Sequence, residues 1–323
     1  MPLTQLNFQP GLDTENTPTG AEGRWVDGDK IRFRKGLPQK IGGWTKFSTG
    51  YYIGVGRALE QWFSLDGGRY EAIGTDRKIY TYASGISQDI TPIRSTDALV
   101  NAISTTTSSN IVTITDAGHG ASQGDFVTLS NVSATVGGLT ASVLDAEYEI
   151  LTISNTNAYT VQSSGTANAN VAPTANCTAV YQISTGPSVQ TFGYGWGSGT
   201  WGTSTWGTQR STSNVILDAR LWSINNWGED LIITQKDGST YEWNLSGGMT
   251  NNRCTVVANA PTNSTLSMIS TETRHVVCLG TETAIGNTAS VDKMFIRWSD
   301  QENYNQWTPN VTNSAGSQRI AGG

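Results

Sequence analysis

No lysine or arginine occurs from Ser95 through Gln209, and all eleven tryptophans lie outside residues 63–195. Basic charge and indole are missing from one middle stretch, and a break this sharp marks one domain inserted into another. The expected boundaries are 1–94 for an N-terminal segment with the first propeller blades, 95–183 for an inserted β-domain, and 184–323 for further blades with a Gly/Trp-rich loop. The insert is rich in Ser, Thr and Ala. Its charges are all acidic: Asp97, Asp116, Asp125, Asp145, Glu147 and Glu149. Charge is scarce throughout, at 14% of residues, with a formal net of −6. That excludes a general grip on nucleic acid, which needs many phosphate-neutralising cations. A channel along which DNA slides stays open.

Cysteine is nearly absent. Cys177, Cys254 and Cys278 are odd in number, widely spaced and form no CxxC pair, so neither a disulfide framework nor a zinc site is expected. Buried thiols are the expectation. Two histidines, His119 and His275, have no His, Cys or carboxylate at ligand spacing, so no metal or cofactor is expected. No run reaches the roughly 18 apolar residues of a membrane span. The N-terminus lacks the apolar core of a secretion signal, and the five N-x-S/T triplets are then chance in a Ser/Thr-rich chain.

What the chain has is turns and short strands. Its 36 glycines, and runs of β-branched and aromatic residues between Gly/Asn/Asp/Ser clusters, predict an all-β protein. One pattern comes three times: Glu71–Thr75 then Lys78–Tyr82, Leu231–Gln235 then Thr240–Trp243, and Val276–Gly280 then Lys293–Trp298. Each is an apolar strand, a turn, and a strand ending apolar-x-aromatic, with Tyr80/Tyr82, Tyr241/Trp243 and Ile296/Trp298 in corresponding places. Such a hairpin suits a propeller blade, whose face must pack on the next; a β-sandwich is the alternative. The insert has four strands of its own, near 110–115, 125–129, 148–153 and 158–161, and reads as a small β-sandwich or barrel.

Residues 24–46 hold seven basic side chains, and Lys30-Ile31-Arg32-Phe33-Arg34 alternates as a half-buried strand does. Arg24, Lys30, Arg32 and Arg34 are either a solvated face or a docking surface for an acidic neighbour. Trp196, Trp201 and Trp206 recur five apart in a Gly/Ser/Thr background, too costly in backbone entropy for a core strand. They read as a loop pinned by indoles, or as a contact surface for a subunit or glycan. Asp145, Glu147 and Glu149 alternate along one strand face, read as a wet surface with a weak cation site as the sharper alternative. No nucleophile elbow or P-loop is present. Asp300 and Glu302 read as turn caps rather than a glycosidase acid pair, so catalytic residues are not expected.

Four stretches together carry a resemblance: NFQPGLDTENTPTGAEGRWVDGDKIRFRKGLPQKIGGW, GWGSGTWGTSTWG, LWSINNWGEDLIITQKDGSTYEWN and RWSDQENYNQWTPNVTNSAGSQRI. They resemble the tail nozzle, or tail tubular, proteins of short-tailed bacteriophages, and the insert resembles the β-domain found within such proteins. The resemblance implies a virion structural subunit, made in the host cytoplasm, six copies of which form a ring at the distal tail tube. It further implies contact with the head-to-tail adaptor above and with fibres or a needle below, DNA conducted through the lumen during ejection, and no catalysis. Members are typically longer, with further blades after a segment like SAGSQRI, so either the propeller is completed by residues beyond Gly323 or this is a shortened form. A glycan-binding tail protein using Trp196, Trp201 and Trp206 is the alternative function.

Overall fold

The structure, a computed structural model, describes residues 8–43, 45, 50–186 and 219–321. The chain divides into two compact units, Met1–Phe47 and Ser48–Gly323. The N-terminal segment therefore stands as its own unit, apart from the first blade.

The smaller unit contains β1 (Gln9–Leu12), β2 (Arg24–Trp25), β3 (Ile31–Arg34) and β4 (Leu37–Lys40). β1 pairs parallel with β2, and Phe8 rests on Trp25 with ring centroids 5.3 Å apart. β3 and β4 form an antiparallel hairpin in which Arg32 faces Gln39 and Arg34 faces Leu37. Its two-residue turn, Lys35-Gly36, has φ of 51° and 78°, the left-handed pair that matches strand twist in a tight hairpin.

In the larger unit, β5 (Gly56–Phe63), β6 (Arg69–Thr75), β7 (Ile79–Ala83) and β8 (Ile86–Asp89) form a four-stranded antiparallel meander. The insert follows with β9 (Ile93–Leu99), β10 (Ile103–Thr105), β11 (Ile111–Thr115), β12 (Phe126–Ser130), a four-residue α1 (Ala141–Leu144), β13 (Glu147–Asn155), β14 (Ala158–Gln162), β15 (Val171–Thr174) and β16 (Cys177–Gln182). Two more meanders complete the order: β17 (Trp222–Trp227), β18 (Asp230–Gln235), β19 (Thr240–Trp243) and β20 (Thr255–Val256), then β21 (Ser264–Ile269), β22 (Val276–Thr281), β23 (Phe295–Trp298) and β24 (Gly316–Arg319). Three four-stranded meanders laid one on the next are blade-like, and the fold is all-β, as the strand patterning predicts.

The blades share their cores. Leu231 and Ile233 of β18 pack with Trp62, Ala72, Ile79, Trp222 and Trp243 in a cluster between the first and second blades. Ile232, between them in sequence, packs with Val257, Val276, Cys278 and Trp307 between the second and third. A strand covered on both faces explains the unbroken apolar run Leu231-Ile232-Ile233. The first two blades meet so closely that a Cβ on Gly74 would lie 2.6 Å from Cδ1 of Trp222, whose indole N–H donates to the Thr75 carbonyl at 2.7 Å.

The predicted hairpins form in all three blades, but the third aromatic pair is displaced by one residue. Tyr241 and Trp243 share a face with Ile233 and Leu231, toward the first blade. In the third blade it is Cys278 and its partner Arg297 that face the second. Ile296 and Trp298 lie on the other face, with Leu266 and Met268, the last two 39% and 49% exposed. A slip of one position in a strand moves every side chain to the opposite face.

The insert is an eight-stranded sheet in the order β15-β10-β11-β14-β13-β12-β16-β9, curled around its own core. Ile103, Val112, Ile114, Val127, Ile150, Tyr159, Val161 and Ala179 are buried there, each from the inward positions of an alternating strand. Irregular register along β13 bends the strand that both halves of the sheet share.

Candidate functional site

Arg24, Lys30, Arg32 and Arg34 all lie in the N-terminal unit and all are exposed. Arg24 reaches Asp13 at 3.5 Å, and Lys30 reaches its neighbour Asp29 at 3.6 Å. Arg32 and Arg34 project from one face of β3, as the alternation predicts, while Ile31 and Phe33 are half-buried. Arg32 donates to Gln39 at 3.2 Å, and neither arginine has a carboxylate partner among the described residues. Leu37, opposite Arg34, is 71% exposed, so the hairpin presents two guanidinium groups beside an uncovered apolar side chain. Trp196, Trp201 and Trp206 lie outside the described residues.

The acidic face of the insert is not the wet surface its alternation suggests. Glu149 accepts from Arg77 at 2.8 Å, and Arg77 also donates to the Gly124 carbonyl at 3.1 Å. Lys78, only 2% exposed, is paired with Asp89 at 2.9 Å and with Glu147, and its ammonium sits 4.3 Å from the centre of the Phe126 ring. Gln182 donates to Glu147 at 2.7 Å, and Arg253 of the second blade pairs with Asp89 at 3.0 Å. Asp145 instead accepts from the Val132 N–H at 3.0 Å. Burial pushes the Asp89 carboxyl up, but Lys78 and Arg253 outweigh it and hold it below the usual carboxylate range. The base-free insert thus takes its counter-ions from the β6–β7 turn, so the face read as a weak cation site is a docking seam.

The thiols are all buried. Burial raises Cys177 and Cys278 to about 11 and Cys254 well above its ordinary value, so none is a ready nucleophile. In His119, Nδ1 accepts from the Ala121 N–H at 3.0 Å, so Nε2 carries the proton and donates to the Asn155 carbonyl at 3.1 Å. His275 contacts Thr273 and Ser314. Asp300 accepts from the N–H and hydroxyl of Ser314 and from the Gln301 N–H, and those bonds hold its carboxyl low. It organises a turn, as read from the sequence. Among the described residues no group of three His, Cys, Asp or Glu could hold a metal, and no helix is long and apolar enough to cross a membrane.

One feature went unread in the sequence. The β5–β6 turn, the β17–β18 turn, the end of β19 and the β21–β22 turn meet around an open cleft of about 550 Å³. Phe63, Trp227, Glu229, Asp230, Asn244 and Arg274 line it. The Trp62 indole donates to the Glu229 carbonyl at 3.0 Å, and Glu229 Oε1 accepts from the Leu65 N–H at 2.7 Å. Trp227 stands edge-on to Tyr304 at 5.3 Å, and the Arg274 guanidinium lies 4.6 Å from the centre of the Trp227 rings. Three turns and a strand end so far apart in sequence leave no local motif. The available signal was Phe63 and Leu65 flanking the polar tip Asp66-Gly67-Gly68, where exposed apolar side chains serve no core.

No family model matches the chain, and no curated protein matches it. Among solved structures it is similar to the phage phi92 endosialidase, at 14% identity and a TM-score of 0.24, over 81% of this chain and 38% of that one. The chain thus spans well under half of that protein's length, and a superposition this loose fixes neither family nor activity.

Proposed function

We propose that the chain is a structural subunit of a short-tailed phage tail nozzle. In this reading it forms a homohexameric ring at the distal tail tube that retains the genome and conducts it during ejection, bound to the adaptor above and to fibres or a needle below. The role is mechanical and non-catalytic. Blades with shared cores, and an insert tied down by ion pairs to Arg77 and the buried Lys78, suit a part that must transmit load without deforming. The observation that carries the reading is the β3–β4 hairpin. It lies within the opening segment that resembles the nozzle family, and it offers Arg32, Arg34 and Leu37, with neither arginine paired to a carboxylate among the described residues.

The test is Arg32→Glu/Arg34→Glu in the phage that encodes the chain, followed by cryo-electron microscopy of the particles. Both side chains are exposed, so the isolated variant should melt as the parent does while particles lose the chain from the tail tip. Normal assembly would discard the docking surface, and a position away from the tail axis would discard the nozzle itself.

A further inference from the structure

The cleft between the turns of the three blades has the makings of a binding site that the nozzle reading does not use. Its volume, about 550 Å³, lies in the range of about 300–1,000 Å³ usual for small-ligand sites. Its polar groups are held in place by their neighbours. Glu229 and Asp230 each commit one carboxylate oxygen to a backbone N–H, of Leu65 at 2.7 Å and of Leu245 at 2.9 Å, and the other oxygen of each has no partner among the described residues. The Arg274 backbone is held by the Glu302 N–H at 3.0 Å, and its guanidinium rests on Trp227. Arg274 has no ion-pair partner among the described residues, so its donors remain available. Phe63, 66% exposed, adds an apolar ring to the lining, with the Arg69 guanidinium 5.8 Å from its centre.

The ligand these groups fit has many hydroxyls and an apolar face. Carboxylate oxygens accept from sugar hydroxyls, a guanidinium fork donates to them, and an aromatic ring covers the C–H face of a pyranose. Two carboxylates against one guanidinium disfavour an anionic chain by like-charge repulsion. We propose that the cleft binds an uncharged saccharide, with Phe63 as the stacking platform, Arg274 as hydroxyl donor, and Glu229 and Asp230 as hydroxyl acceptors. These four residues are all among those described; Trp196, Trp201 and Trp206 are not called on, and no place in a tail is assumed. A cleft open to solvent at the tips of turns suits a polymer that is gripped and released, not a cofactor that is enclosed.

The experiment is affinity electrophoresis of the full chain in gels containing dextran or galactomannan, against polygalacturonate as the acidic control, with an array of neutral bacterial surface glycans in parallel. The expected result is saturable retention by at least one neutral glycan and none by polygalacturonate. Phe63→Ala and Arg274→Ala should each weaken it about tenfold or more, as truncating an aromatic or arginine anchor does, with an unchanged melting temperature. Arg274→Lys should recover less than half of the loss, because a point charge lacks the fork. Failure of every neutral glycan to bind would overturn the proposal. So would retention that survives both variants but disappears in Trp196→Ala/Trp201→Ala, and so would capture of basic peptides in place of glycans.

Discussion

The insert and the blades solve the same problem in opposite ways. The insert curls one sheet until its inner face is closed, and its core of Ile114, Val127, Ile150 and Tyr159 needs no other part of the chain. A blade cannot do that. Each meander is a single layer, and Trp62 and Ile79 of the first are covered only because Trp222 and Trp243 of the second lie against them. The insert therefore holds its stability internally and joins the rest through charge, whereas the blades hold theirs in apolar contacts that no blade owns. Cooperativity should follow the same division: blades open together, and the insert opens by itself.

The strongest way to break that comparison is Trp243→Ala. The side chain is fully buried between two blades, and its indole donates to the Asn252 carbonyl at 3.2 Å. Loss of a buried aromatic costs about 3–5 kcal/mol. Hydrogen exchange should show β5–β8 and β17–β20 losing protection together while β11 and β14 keep theirs. Parallel loss in the insert would show that the two regions fold as one.

Lys78→Met should come next, at about 3 kcal/mol, the lower end for removing one member of a buried ion pair, because Arg253 still serves Asp89. Denaturant unfolding should show the seam failing first. Lys78→Met/Glu147→Gln should regain part of the loss, since the partly exposed Glu147 would no longer carry an unpaired charge; a double variant no better than the single would mean that Lys78 acts through packing on Phe126 instead.

The smallest effect is pH-dependent. Asp89 is held below its unfolded value of about 3.9 by Lys78 and Arg253. Its contribution is therefore fully present above that value and is lost as pH falls through the folded one. Melting temperature should drop below about pH 4, and Asp89→Asn should flatten that drop. An unaltered acid limb in Asp89→Asn would assign the effect to other carboxylates.

How much of this was legible in the sequence depends on distance along the chain. Hairpins close over a few residues, so Leu231-Ile232-Ile233, the Lys236–Ser239 turn and Tyr241-Glu242-Trp243 announce themselves. The displaced third pair was not legible, because Phe295-Ile296-Arg297-Trp298 alternates acceptably in either phase, and only the second blade's position decides which face is covered. Glu147 and Glu149 looked solvated because their partners, Arg77 and Lys78, lie about seventy residues earlier. The cleft was invisible for the same reason: Phe63, Glu229, Asn244 and Arg274 meet only once three blades are stacked.

The insert leaves the first blade and returns to it at one place. Its first and last strands are partners, with Ile93 opposite Gln182 and Ser95 opposite Tyr181, so the chain leaves the blade and returns about one strand spacing away, roughly 5 Å. That is the geometry of a socket. Residues between them could be excised and bridged by a short turn, or exchanged for another domain whose termini are neighbours, without moving β8. The replacement would have to seat two carboxylates over Arg77 and Lys78, because Arg77 would otherwise lose its carboxylate and Lys78 would be left with Asp89 alone, which Arg253 also uses. The first blade would thereby accept a new module while rejecting any whose underside carries the wrong sign.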